Sequence, residues 1–399
     1  MDITQDIVLA AGTRSPMGDF GGSLRGVETL DLAGRIGRAC IRRSGLQPEA
    51  FDHMVFATTV PSGRDTLFAS RVVGAKAGLP EEAGALDVVR ACGSGLQAIV
   101  SAGQQIRDGE SRIALAGGAE NYSRVPHVVT DIRWGRKRGP VEMEDMLDWA
   151  YRCPFSQEYM GETAENLAED FQYTREAMDT WGVMSQQRAI AAIDSGFLAR
   201  QIEPVEVPAG RRGEVSDFSV DEYPRRDATS EKLATLRPAF RENGKVTVGN
   251  ASGVTDGAGF IVVADRQTLE SQGVAPEARV IDYAVVGVPP RIMGHGPVPA
   301  IGKLLDRQEM TVDDIDYFEI NEAFAVVNLH AERHLGIPRE KHNLYGGGIS
   351  LGHPPGLTGI RMTMTAMHHL ADTGGRYAVL SMCLGAGQGM AMLIENLKR

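Results

Sequence analysis

Apolar and polar positions fall along the chain in blocks that predict a repeating strand-and-helix rhythm. Ile7-Val8-Leu9-Ala10-Ala11 is an apolar run of strand length, ended by Gly12. Residues 29–44 carry helical character, and Gly45 stops them. Met54–Val60 and Ala85–Val89 predict two more strands. The second leads into Cys92-Gly93-Ser94-Gly95, then a helix over Leu96–Arg107 and a strand over Arg112–Ala116. Such alternation argues α/β layers rather than segregated α+β.

The middle of the chain breaks the rhythm. Residues 121–250 are richer in charge and aromatics and include the basic loop Trp134-Gly135-Arg136-Lys137-Arg138-Gly139. A long helix is predicted from Thr174 to Ser195, with Gly196 just past its end. Strand-like Gly259–Ala264 then returns to the earlier style, and the pattern restarts with Val280–Val288, Tyr317–Ile320 and Tyr377–Met382. We therefore expect three parts: an N-terminal α/β half over 1–120, completed by about 253–274; an inserted loop domain over 121–252; and a C-terminal α/β half over 275–399. The two halves echo each other. In the first, a Gly-flanked Cys92 and a helix precede Arg112-Ile113-Ala114-Leu115-Ala116. In the second, Gly352-His353 and a helix precede Arg376-Tyr377-Ala378-Val379-Leu380.

Composition narrows the classes. A chain of 399 residues has ample length for a large core. Net charge of −11 argues against a nucleic-acid partner. Glycine, 47 residues or about 12% against roughly 7% typically, is clustered, which points to tight turns around a site. The four cysteines fit no zinc spacing and no disulfide framework. The acidic start Met1–Asp6 carries no signal-like pattern, and no apolar run reaches membrane-spanning length. The expectation is a cytoplasmic protein with no metal, no tightly bound cofactor and no membrane span.

Four blocks carry candidate chemistry. Cys92 sits where a strand gives way to a helix, so the helix dipole is expected to lower its pKa. Gly93 and Gly95 are expected to let backbone N–H groups approach a group on the sulfur. An inert buried thiol beside a glycine turn is the competing reading. His353 lies in Tyr345-Gly346-Gly347-Gly348-Ile349-Ser350-Leu351-Gly352-His353-Pro354-Pro355-Gly356, a backbone costly to build around a histidine that need not be aimed. It is a candidate base for the thiol. Cys383 precedes Leu384-Gly385-Ala386-Gly387-Gln388-Gly389 and supplies a second acid/base or, alternatively, half of a redox pair. Asn321, in Asn321-Glu322-Ala323-Phe324-Ala325, follows a strand and can serve an oxyanion or simply cap a helix.

Together these blocks resemble the thiolase family over essentially the whole chain. The nucleophile block is similar to Arg90–Gln97, the Asn-Glu-Ala-Phe block stands intact at 321–324, the Gly-Gly-x-x-x-Gly-His-Pro block at 347–354, and the Cys-x-Gly-x-Gly-x-Gly block at 383–389. Arg14-Ser15-Pro16, Gly117–Glu120, Met160–Glu165 and Gly249–Gly253 add to the likeness. The resemblance implies two similar α/β halves in a five-layer α-β-α-β-α arrangement with an inserted loop domain that holds coenzyme A. It implies thiolysis of 3-oxoacyl-CoA through a Cys92 acyl-enzyme, with His353 taking the thiol proton and Cys383 handling the α-proton. One oxyanion site would use His353 and a water on Asn321, the other the N–H groups of Cys92 and Gly385. Ser252 would meet the pantetheine arm and Arg225 the nucleotide, while Met160 and Phe324 line the reacting end; a solvated arginine is the rival reading of Arg225. CoA and acyl-CoA thioesters are the implied partners, in a homodimer or homotetramer, with a multienzyme β-oxidation partner as a further option.

Three departures from the family pattern stand out. Pro355-Gly356-Leu357-Thr358-Gly359 replaces a branched apolar residue, Gly, a small residue and Ser-Gly, and Leu357 is expected to reshape the back of the pocket. Asn121-Tyr122 stands where relatives carry small or Met residues. Tyr159 precedes Met160 where the acetoacetyl-CoA-forming branch often has His, which tilts the reading toward a degradative 3-ketoacyl-CoA thiolase over an acetyl-CoA acetyltransferase. A decarboxylating ketoacyl synthase is disfavoured by Cys383, and an inactive acyl-CoA carrier by the presence of all four blocks.

Overall fold

The computed structural model describes residues 6–209 and 213–398; the start Met1–Gln5 lies outside the described residues. Nine strands carry the architecture: β1 (Ile7–Arg14), β2 (His53–Ala57), β3 (Gly84–Val88), β4 (Ile113–Glu120), β5 (Thr255–Asp265), β6 (Ala278–Gly287), β7 (Tyr317–Ile320), β8 (Tyr377–Leu384) and β9 (Gln388–Asn396). Eight helices pack on them: α1 (Thr29–Ser44), α2 (Ala69–Ala77), α3 (Ser94–Arg107), α4 (Met160–Asp170), α5 (Arg175–Asp194), α6 (Pro297–Arg307), α7 (Ala325–Leu335) and α8 (Pro355–Thr373).

The strands follow the order β7-β8-β9-β6-β1-β5-β4-β2-β3. Where the halves meet, β1 and β6 pair only through Val8–Arg279 and Leu9–Ala278. Side chains on either side of this path separate into distinct cores because strand residues alternate between faces. Val55, Ala116 and Ile261 share one core with Leu380, Met392 and Ile394, and α3 (Leu96, Ile99) and α8 (Ile360, Met364) fill it. Met54, Phe56, Leu115 and Phe260 face the opposite way, onto α1 (Leu32, Ile36) and α2 (Val73). Val379 and Leu393 face α6 (Ile301, Leu304) and α7 (Val326, Val327). The result is five layers: α1/α2, sheet, α3/α8, sheet, α6/α7.

The halves repeat one another strand for strand. β2 runs parallel to β3 and β4, and β4-β5-β1 continue antiparallel. β7 runs parallel to β8, and β8-β9-β6 continue antiparallel. A parallel bridge between Phe318 and His342 stands where β3 pairs with β2. Residues 121–254 connect β4 to β5, which are neighbours paired over eight residues. Both strands are buried almost throughout, which explains their continuous apolar character.

Several boundaries differ from the sequence expectations. β1 does not stop at Gly12: its register to β5 slips between Ala10 and Thr13, with Ala11 at φ 52°, and the strand continues as a bulge. β4 runs on to Glu120, and β8 runs through Cys383 to Leu384. The predicted strand at 54–60 ends at Ala57, because residues 58–60 turn to bond Glu120. β9 was not anticipated at all; the Gly-rich 385–387 segment, with Ala386 and Gly387 at positive φ, is the turn of a β8–β9 hairpin.

The crossing of α3 and α8 fixes the site. A Cβ on Gly359 would lie 2.2 Å from the Leu96 backbone nitrogen, and one on Gly95 would lie 2.9 Å from Gly356 oxygen. The two backbones therefore touch, and the turns that precede the helices, one with Cys92 and one with His353, are brought to one place. This corrects the expected role of Gly95: its missing side chain serves the helix contact, not access to the sulfur.

Candidate active site

Cys92 sits in a tight turn between β3 and α3. Gly93 N–H donates to Arg90 O at 2.9 Å, and the Ser94 hydroxyl donates to Ala91 O at 2.7 Å while accepting from Arg90 N–H at 2.8 Å. Ala91 is held at φ 43°, a strained conformation for a residue with a side chain. The turn aims the thiol into a cavity of about 280 Å³, lined also by His353, Gly385, Met160, Ser252 and Phe324. The expectation of a lowered thiol pKa is overturned. Burial pushes the Cys92 thiol up, outweighing the N–H groups of Gly385 and of Cys92 itself that reach the sulfur. Nothing in this setting keeps a resting thiolate.

His353 enters after Gly352, whose φ of 95° suits glycine and whose Cβ position is filled by Thr255, 2.2 Å away. The imidazole Nδ1 lies 2.7 Å from Thr358 Oγ1. That hydroxyl spends its own proton on Pro354 O at 2.9 Å, so it accepts from Nδ1–H. The tautomer is thereby set, leaving Nε2 unprotonated, its lone pair facing the Asn321 amide N–H. Burial, with a smaller contribution from the Arg361 guanidinium, pushes the imidazole down to about 3. His353 is therefore neutral, with Nε2 as its unprotonated nitrogen. Asn321 lies behind it, with Nδ2 at 3.3 Å from Nε2.

Cys383 is fully buried near the end of β8, opposite Gly389. Burial pushes its thiol well up, and the Cys92 sulfur is close enough to add to the effect. Both Cys92 and Cys383 are free thiols. Gly385, two residues on, turns its N–H toward Cys92.

Two buried carboxylates hold this geometry together. Glu120, at the end of β4, accepts from Thr58 Oγ1 and from the N–H groups of Thr59 and Val60 with one oxygen, and from Gly356 N–H in the first turn of α8 with the other. It clamps the start of α8 to the first half. Glu322 accepts from Trp181, Ser185, Asn343 and the Ile349 N–H, joining the Asn321 strand end to α5 and to the glycine loop before His353.

Of the expected CoA contacts, Ser252, Met160 and Phe324 line the cavity. Arg225 does not. It lies in a neighbouring cleft with Gln186, Gln187 and Arg226 and pairs with Asp19 at 3.0 Å. Tyr223 connects the two places, with Arg225 5.1 Å from its ring centroid and Gly253 packed against its edge. Leu357 is fully buried against Gly257 and Gly259 and lines nothing in the cavity; Pro355 does. The Tyr159 hydroxyl is occupied by Asp148 and Arg152 outside the cavity lining, so its identity does not shape the reacting end. Sequence reading missed Thr358 as the partner of His353, Glu120 as a clamp, and Tyr122 and Tyr151 as cavity wall. A hydroxyl five residues after His353 in a helix start was the one available signal.

The chain matches the family model described as thiolase, N-terminal domain, over residues 7–267, and that described as thiolase, C-terminal domain, over 274–396. It is 41% identical to the beta-ketothiolase BktB of Cupriavidus necator over 396 residues, covering 99% of this chain and all of that protein. Among solved structures it superposes on the acetyl-CoA acetyltransferase of Bacillus anthracis with a TM-score of 0.95 and 40% identity, covering 98% of this chain and 99% of the other. Human mitochondrial 3-ketoacyl-CoA thiolase, solved in complex with CoA, superposes with a TM-score of 0.94 and 38% identity, covering 98% of each chain.

Proposed function

The chain belongs to the thiolase family, and from that premise we propose that it cleaves 3-oxoacyl-CoA with CoA, giving acetyl-CoA and a shortened acyl-CoA through an acyl group carried on Cys92. The observation that carries this reading is the convergence of Cys92, neutral His353 and the Gly385 N–H on one cavity, with Cys383 beside Cys92. A raised thiol and a depressed imidazole oppose a preformed ion pair. His353 Nε2 therefore takes the Cys92 proton as the sulfur attacks the 3-oxo carbon. Carbon–carbon cleavage leaves the acyl group on Cys92 and an acetyl-CoA enolate, which Cys383 protonates. CoA then takes the acyl group.

Negative charge develops on oxygen at each stage. Donors already aimed at that position are each worth about 3 kcal/mol or more. The N–H groups of Cys92 and Gly385 serve one oxyanion. His353 Nε2, once protonated, serves the other, together with Asn321 at 3.3 Å. The pantetheine arm runs past Ser252, and Tyr223 leads from there to Arg225 for the nucleotide.

We infer a cytoplasmic enzyme; among the described residues no helix is long and apolar enough to cross a membrane. We also infer a homodimer or homotetramer: β3 is an edge strand, and Leu67, Phe68 and Val89 are exposed apolar residues nearby in the chain. The exposed loop around Trp134 offers a second contact or a docking point for a β-oxidation partner. Mass spectrometry after mixing with acetoacetyl-CoA tests the core reading. The expected result is one acetyl group on Cys92 and none in Cys92→Ser. A Cys92→Ser enzyme that transfers acyl groups at the wild-type rate would refute the nucleophile assignment.

A further inference from the structure

Next to His353, β7 and α8 touch through residues that lie outside the cavity lining. Alternation along β7 turns Phe318 and Ile320 toward the core of α6 and α7, while Tyr317 packs in the core that α8 fills. Glu319 shares the Tyr317 side. So does Asn321, whose N–H extends the strand pairing to Ser381 O at 2.9 Å. Helix α8 answers in matching steps. His353 meets Asn321 at 3.3 Å through one ring nitrogen and Thr358 at 2.7 Å through the other. Three residues further along the helix, Arg361 pairs with Glu319, whose second oxygen accepts from the Tyr317 hydroxyl. Strand and helix are thus joined by two rungs, Asn321 to His353 and Glu319 to Arg361.

The second rung is costly to build. Arg361 and Glu319 are each 1% exposed. Among the described residues, Nε and Nη2 of Arg361 find no acceptor. Burial pushes the Glu319 carboxyl up, and the Arg361 charge is the largest influence against it. A buried pair of this kind is poor value for stability, because apolar side chains of similar volume commonly hold a core as well or better. What apolar contacts do not supply is direction. A charge-assisted hydrogen bond fixes both distance and angle, whereas apolar surfaces can slide. Here the fixed distance is that between the strand carrying Asn321 and the helix carrying Thr358, the two partners of the His353 ring.

We propose that Arg361 and Glu319 are positioning residues for the reaction: their ion pair, closed by Tyr317, holds α8 against β7 at the spacing that aims His353 Nε2. The proposal rests on the thiolase reading above. Neither residue lines the cavity, so each acts through the imidazole. An apolar core would hold α8 without that register.

The test replaces the whole network at once. Tyr317→Phe/Glu319→Leu/Arg361→Met nearly keeps the volume and leaves no member of the network buried without its partner. Its melting temperature should lie within a few degrees of wild type or above it. The limiting rate of Cys92 acetylation by acetoacetyl-CoA, per active site, should fall about tenfold, with the half-saturating concentration little changed. Glu319→Asp keeps both charges but shortens the reach by one methylene, and should slow the same step several-fold. A purely structural role would lower the melting temperature or the active fraction and leave the rate per active site unchanged. A triple variant that melts far below wild type, or either variant acetylating within twofold of the wild-type rate, overturns the proposal. Alkylation of Cys92 by iodoacetamide, located by mass spectrometry, asks the same question with no thioester, since His353 takes the thiol proton there too. It should slow by a similar factor in the triple variant, and an unchanged rate overturns the proposal equally. A wild-type enzyme that alkylates but is not acetylated by acetoacetyl-CoA would refute the thiolase reading, and the alkylation comparison would still decide the positioning role.

Discussion

Thr358→Val isolates the contact that sets the His353 tautomer. The substitution keeps shape and burial but removes the acceptor 2.7 Å from Nδ1. Thr358 and His353 are 1% and 8% exposed, so water cannot easily replace it. In the resting enzyme the lost bond is neutral, worth about 0.5–1.5 kcal/mol net. During acylation the ring becomes an imidazolium, and the same bond is charge-assisted, worth about 1.5–3 kcal/mol. The difference, about 1–1.5 kcal/mol, is lost only in the transition state and slows acylation roughly five- to twelvefold. A ring that turns over to the Nε2–H tautomer loses its base outright, which takes the expected loss to about 10- to 100-fold. Stopped-flow acetylation of Cys92 by acetoacetyl-CoA reads this directly. kcat should fall with KM little changed, since Thr358 is not among the residues lining the cavity. Thr358→Ser, which keeps the hydroxyl, should recover most of the rate. A Val variant within twofold of wild type, or a Ser variant as slow as Val, would show that the hydroxyl does not set the base.

Other outcomes follow from the same geometry. Cys383→Ala should still accept an acetyl group on Cys92 but lose exchange of the acetyl-CoA α-protons in D2O; normal exchange by NMR would remove Cys383 as the second base. Gly359→Ala places a Cβ 2.2 Å from the Leu96 nitrogen, a backbone contact that cannot yield cheaply. It should cost about 1–3 kcal/mol or more, lowering the melting temperature by several degrees in calorimetry and slowing acylation; an unchanged melting point would mean the crossing is looser than described. Acid should destabilise the fold. Burial is the first cause holding His353 and His330 down to about 3 and His368 to about 4. These folded values lie below the unfolded value near 6.5, so the unfolded chain takes up protons first. Their stabilising contribution is complete above about pH 6.5 and is lost as pH falls toward 3–4. Melting temperature should be flat from pH 7 to 8 and decline from pH 6 to 4.5, and a rise on acidification would contradict the burial argument.

What the sequence disclosed depended on whether a residue's role left a local mark. Cys92, His353 and Cys383 were legible because each sits at an element junction, where glycine and a reactive side chain must occur together. Helix α3 and the long α5 were legible from pattern and caps. β9 was hidden because the glycines that form its hairpin turn were read as a turn beside the Cys383 thiol and not as a link to a further strand. The thiol pKa was misjudged for a physical reason: the dipole of a helix start is visible in sequence, whereas the desolvation that outweighs it depends on what packs over the turn. Arg225 was given its nucleotide role by family likeness alone, and its side chain sits one cleft from the reacting cavity.

The remaining step concerns why the chemistry divides as it does between two halves with the same strand order. Cys92 precedes α3 and His353 precedes α8, and these helices are the two that cross at Gly95 and Gly359. A repeated unit packed face to face brings its equivalent helix starts together, so one position in the repeat can supply a nucleophile and its twin a base. The strand ends are used in the same divided way. At the end of β8, Cys383 and Gly385 face Cys92. At the equivalent end of β4, Glu120 points at no reacting atom but bonds Gly356 N–H and holds the start of α8 in place. At the strand ends one half thus presents chemistry where the other presents support, and the start of the His353 helix is anchored by the opposite half. That arrangement explains why the sequence showed Glu120 in a family-like segment without showing its role as a clamp, and why its removal should disturb His353 although the two never touch.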